Sequence, residues 1–198
     1  MIRYSKMVTG VVAAIFFAAP AWAEQVDVVG QGPGGAMVAA GGAELIRTKY
    51  GINIKLKMPT PAPGSYTYPT GNGFQPDVYM GAPEVFTGWA FIFNYPDQCS
   101  DGMCGMDDLG PDKPARGGAY NFAGHVVGGT TLRLSGRVDI GDAPFPAAPG
   151  TPLENPAGAE VHIAIAPHGT VQPALLPSQI STPIGTSAEW WLAIFFAP

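Results

Sequence analysis

Apolar and polar positions alternate with a period of two along much of this chain, the spacing of a strand that buries one face. The pattern is clearest in Ile52-Asn53-Ile54-Lys55-Leu56-Lys57-Met58, where four apolar side chains face one way and Asn53, Lys55 and Lys57 the other. Val161, Ile163 and Ile165 alternate in the same way with His162 and Ala164. Two stretches, Gly88-Trp89-Ala90-Phe91-Ile92-Phe93 and Trp190 to Phe196, are apolar on both faces and predict central strands. Gly124-His125-Val126-Val127, Gly128-Gly129 and Thr130-Thr131-Leu132-Arg133-Leu134 predict a β-hairpin, because paired glycines tolerate the positive φ angles of a two-residue turn.

The connections Pro59 to Pro83, Gly110 to Gly118 and Asp142 to Gly158 are too rich in proline and glycine for helix or central strand. Together these segments predict an all-β fold, a single antiparallel β-sandwich with long Pro/Gly-rich loops and little helix. Residues 24–42 read as a Gly/Ala-rich lead-in and residues 43–198 as the sandwich domain. The Pro59 to Pro83 connection is long for a compact domain. Its Tyr66, Tyr68, Phe74 and Tyr79 are flat amphipathic side chains suited to a binding surface, or to tacking the loop onto the sandwich.

The amino-terminal residues read as an export signal, with Arg3 and Lys6 ahead of an apolar run from Val8 to Ala19 and Ala21-Trp22-Ala23 as the cleavage site, so residues 1–23 form the signal peptide. That run is shorter than the ~20 residues of a transmembrane helix, and no transmembrane segment is expected after cleavage. Loss of Arg3 and Lys6 takes the basic count from 10 to 8 against 15 acidic residues, a net charge of −7, which argues against a nucleic-acid partner. In an exported, periplasmic or secreted chain the two cysteines, Cys99 and Cys104, predict a disulfide.

Three motifs bear on chemistry. Gly30-x-Gly32-x-x-Gly35 after Val26 to Val29 imitates a nucleotide cradle, but no acid follows at the ribose position and Gly41-Gly42 interrupts the supposed helix. Asp97, Asp101 and Asp108 approach the spacing of a calcium loop, although Cys99 stands where an oxygen ligand belongs. His125, His162 and His168 all fall in or beside predicted strands, His168 in the turn after Pro167, and antiparallel pairing could gather them as copper or zinc ligands, with Met103 and Met106 as further thioether donors. Hydrolase signatures are missing, which leans against an enzyme, although triads can assemble from distant segments.

Several ordered segments resemble a family of uncharacterised exported bacterial β-rich proteins. They are Ala43 to Thr48, Pro63 to Thr67, Trp89 to Cys104, Gly124 to Val127, Asn155 to His162 with its Glu160-Val161-His162, His168-Gly169 and Gln179 to Thr182. The resemblance implies no activity. It does imply that Pro69 to Thr87 is a loop insertion, since the similar sequences pass almost directly from Tyr66-Thr67 to Trp89, and that a second pair of cysteines is missing after Cys104. At the level of fold alone the chain is similar to CHRD and copper/zinc superoxide dismutase sandwiches. The function expected is a non-catalytic exported binding or envelope-associated module with no cofactor, its contact surface formed by the Pro59 to Pro83 loop and the disulfide loop. The alternative is a copper or zinc protein using the three histidines, with calcium in the acidic loop a more remote option.

Overall fold

A computed structural model describes residues 23–30, 34–66, 82–148, 150–182 and 190–198. Among them are eight strands: β1 (Ala23–Gly30), β2 (Met37–Thr48), β3 (Gly51–Pro59), β4 (Glu84–Phe93), β5 (Gly117–Val127), β6 (Thr131–Asp139), β7 (Glu160–Thr170) and β8 (Trp191–Phe195). One helical turn, α1 (Leu176–Gln179), and two 3-10 turns at Pro96–Gln98 and Met106–Asp108 complete the regular structure. The strands form one antiparallel sheet in the order β5-β4-β7-β8-β1-β2-β3-β6. This sheet curls until its ends nearly meet, so two facing layers of a sandwich-like core come from a single continuous sheet.

Alternation decides which residues fill the inside. Ile52, Ile54, Leu56 and Met58 of β3 are buried, and the Ile54–Leu45 and Leu56–Ala43 pairs carry the same face onto β2. Phe86, Ala90 and Ile92 of β4 join them with Val161, Ile163 and Ile165 of β7. An eight-stranded enclosure is just wide enough for side chains to fill it.

The outer face of β4 is covered too, which is why both of its faces are apolar. Trp89 packs edge-on to Phe145 at 5.2 Å, and Phe91 stacks on Trp190 at 6.3 Å. Phe93 lies in a small second core with Leu109, Ala115 and the disulfide-bonded pair Cys99 and Cys104.

Several local expectations are corrected. The lead-in 24–42 contains β1 and the start of β2, because Val26 and Val28 face the core and β1 sits between β8 and β2. Of the expected insertion 69–87, residues 82–87 are described and include the start of β4, whose Glu84–Thr87 are buried in the sheet, while 69–81 lie outside the described residues. Strands β5 and β6 exist, but no ladder joins them among the described residues; β5 pairs with β4 and β6 with β3. Gly128 and Gly129 are not among the positive-φ glycines, so the two-residue hairpin turn does not form. His168 lies within β7, since Gly169 at φ 76° makes a bulge and the strand continues to Thr170.

Candidate functional site

At one end of the curled sheet the described residues form an aromatic cluster. The chain leaves β3 at Pro59, Thr60 N–H donates to the Thr130 carbonyl at 3.0 Å, and a turn closed by Ser65 N–H on the Ala62 carbonyl returns Tyr66 into the interior. The Tyr66 ring lies 5.8 Å edge-on from Trp191 and 6.1 Å from Phe86, with Phe86 and Trp191 themselves 6.3 Å apart. Geometry of this kind adds to the burial of large apolar surface. Beside the three rings a cavity of about 430 Å³ opens between Gly30, Val38, Pro59, Thr60, Tyr66 and Trp191.

The polar groups at this mouth are few. The Tyr66 hydroxyl donates to Glu84 Oε2, and both side chains are buried. Burial pushes the Glu84 carboxyl above its ordinary value, and the hydrogen bond from Tyr66 offsets only part of that rise. Burial also raises the Tyr66 hydroxyl, with the hydrogen bond and charge of Glu84 adding to it, so the phenol is neutral at physiological pH. Thr60 Oγ1 is sealed in the wall with no hydrogen-bond partner among the described residues. Such a lining suits an apolar or aromatic ligand better than an ion.

The other predicted sites do not assemble. His162 and His168 share a face of β7 but stand six residues apart, roughly 20 Å along an extended strand. His162 Nε2 bonds Glu160 Oε1 at 2.6 Å, and the His162 ring meets Phe93 edge-on. His168 is fully buried with Nε2 on Thr87 Oγ1 at 2.8 Å, and Trp89 Nε1 donates to the same hydroxyl. His125 is exposed on β5. Among the described residues no three histidines, cysteines or acids come together in a metal-holding group. The acids of the disulfide loop bond within their own loop instead, and of the three only Asp108 is buried. Asp108 accepts from Ser100 N–H at 2.9 Å and Gly105 N–H at 3.0 Å, and Asp101 accepts from Met103 N–H, while Asp97 bonds the Gln98 amide. Burial would raise the Asp108 carboxyl, but the two backbone donors, together with the Ser100 hydroxyl and the charge of Lys113, outweigh it and hold it below the usual carboxylate range.

Of the aromatic binding surface, Tyr66 is the member the structure places, and it turns inward rather than outward; Tyr68, Phe74 and Tyr79 lie outside the described residues. Of the expected contact surface, the structure describes the Pro59 to Tyr66 part of the long loop and the disulfide loop. Tyr66 meets the Glu84 end of β4 and the disulfide loop packs at its Phe93 end, roughly 30 Å away along the strand. Of the glycine motif, Gly32 lies outside the described residues; Gly30 ends β1 with its N–H on the Ala36 carbonyl, and the chain continues into the antiparallel strand β2 and not into a helix.

Three buried polar residues were not singled out from sequence. Glu84 is an isolated acid before Val85-Phe86, and nothing in its neighbours announces Tyr66 as a partner 18 residues earlier. Arg47 is buried and reaches Glu24 on β1 and the carbonyls of Pro156, Ala159 and Phe196. Asn94, fully buried, donates to the carbonyls of Arg116 and Pro152 and accepts from Glu154 and Asn155 N–H, so one amide ties the β4–β5 connection to the β6–β7 connection. Asn94 ends an apolar run just before Tyr95-Pro96, a position where a buried polar anchor is the one available signal.

The chain matches no protein-family model, and searches of the curated proteins and of the solved structures return no significant match.

Proposed function

We propose that this chain is an exported, non-catalytic binding module that takes a small apolar or aromatic ligand at the aromatic end of the curled sheet. The observation that carries the reading is the cavity of about 430 Å³ beside Tyr66 and Trp191, in a molecule whose interior is otherwise lined by packed aliphatic and aromatic side chains. A concave, mostly apolar site with a few fixed polar groups is the usual form of a small-molecule site. Tyr66 and Glu84 bond each other, so the polar groups nearest the rings are held in place before any ligand arrives. The Cys99–Cys104 disulfide supports action in an oxidising compartment, periplasmic or extracellular.

The test uses the purified chain and the fluorescent apolar probe 1-anilinonaphthalene-8-sulfonate. Saturable enhancement is expected at one site, with energy transfer from tryptophan. Trp191→Ala removes one wall and should weaken it about tenfold or more, corresponding to roughly 1.4 kcal/mol. An equivalent substitution at the far end of β4, Phe93→Leu, should leave probe binding unchanged. Equal binding by wild type and Trp191→Ala would reject the site.

A further inference from the structure

On the solvent side of the sheet, away from the mouth, the register of β3 and β6 sets Lys57 directly opposite Arg133. Directly opposed side chains on one face of an antiparallel pair have Cβ atoms ~4.5–5.5 Å apart, and like charges there repel. Both residues are exposed. Their neighbours on this face are matched: Lys55 bonds Glu44 at 2.7 Å and Arg137 bonds Asp139 at 2.5 Å. Lys57 and Arg133 have no acid within ion-pair reach among the described residues. Asp27, across Gly42 on β1, has Oδ1 engaged by Gly41 N–H at 2.7 Å.

The surface beside this pair is hollow. Strand β2 places Gly41 and Gly42 here in place of side chains, Gly41 at φ 56°, where glycine is favoured. A Cβ on Gly42 would press against the Lys57 carbonyl at 2.8 Å and the Val28 side chain at 2.9 Å. The result is a groove of about 400 Å³ whose walls include Gln25, Lys57, Arg133 and Ser135, with the Glu44 carboxylate also on the wall but neutralised by Lys55. The chain as a whole carries a net charge of −5, yet within a Debye length of ~10 Å the local charge and not the total governs a small ion.

We propose that this groove binds a phosphate group, free or as a monoester, with Lys57 and Arg133 sharing its charge and Gln25 and Ser135 offering polar contacts. A dianion relieves the repulsion that the register imposes, and the guanidinium fork can meet two phosphate oxygens at once. The two residues lie on adjacent rigid strands, so the separation of the charges is set before the anion arrives.

Calorimetry and thermal unfolding of the purified chain at constant ionic strength test this, with sodium phosphate and glycerol 3-phosphate as probes and chloride as the control salt. Saturable binding and a raised melting temperature are expected with phosphate and not with chloride. Each of Lys57→Gln and Arg133→Gln should weaken binding about tenfold, and the double variant should abolish it. Lys55→Gln, which removes an already matched charge, should have a smaller effect. Stronger binding of glycerol 3-phosphate would identify a monoester ligand, and equal binding would identify the free ion. No saturable response to either probe, or a double variant that responds like wild type, would overturn the proposal.

Discussion

At the scale of single residues, the polar groups that matter most are those the fold has withdrawn from water. Asn94 and Arg47 spend their donors on backbone carbonyls of distant loops, which turns each into a tie between segments that share no ladder. Glu84 differs because burial disfavours its charged form. An acid with a raised folded value stabilises most below its unfolded value, here the ordinary 4.5, and that contribution is lost as pH rises through the folded value. Urea midpoints of wild type should therefore fall relative to Glu84→Gln as pH is raised from about 4 to 8, while the two converge at the acid end. A wild-type-to-variant difference that stays constant over this range would mean that the Glu84 carboxyl titrates normally. The same carboxyl adjoins the proposed ligand cavity through Tyr66, so the pH dependence of probe binding should follow the same ionisation.

At the scale of elements, strands were legible wherever period-two alternation met a buried face, as in Ile52 to Met58, and wherever an apolar run was too rich on both sides to leave uncovered, as in β4 and β8. Pairing was less legible. Gly128-Gly129 carries the composition of a hairpin turn, but composition does not set φ, and the adjoining strands find other partners at opposite ends of the sheet. The candidate site suffered most, because Tyr66 meets Glu84 and Trp191 only after a curl that no local pattern encodes. The disulfide loop was legible in its bond and not in its support. Asp108 organises it through two backbone donors, and Leu109 and Ala115 seat it on Phe93. Replacing both cysteines by serine should therefore cost about 2 kcal/mol, the chain-entropy value for so short a loop, and leave the strands intact. Denaturant unfolding gives the cost and far-ultraviolet dichroism the strand content. A loss well above this value would show that the disulfide supports the whole sheet and not one loop.

At the scale of the whole molecule, the sheet's two ends come together with no ladder between them among the described residues. Read around the curl, the order β1-β2-β3-β6-β5-β4-β7-β8 places the consecutive strands β4, β5 and β6 side by side with β3 and β7 as their flanks, a Greek-key arrangement in which the β5–β6 boundary is the unladdered seam. Close approach of backbone at one point substitutes for the missing ladder. Gly136 of β6 faces the Phe122 carbonyl of β5 so nearly that a Cβ there would collide with it, while the Phe122 ring lies over Gly88 of β4. Overpacking against a fixed carbonyl costs ~1–3 kcal/mol or more, since neither strand can yield without dragging the ladder on its other side. Gly136→Ala should lower stability by at least that much, and amide exchange along β5 and β6 should accelerate while β1, β2 and β8, remote from the seam, keep their protection. If the alanine variant is as stable as wild type and its exchange pattern is unchanged, the ends of the sheet stand further apart than a closed seam requires, and the enclosure that shapes the aromatic mouth would rest on the long connections instead.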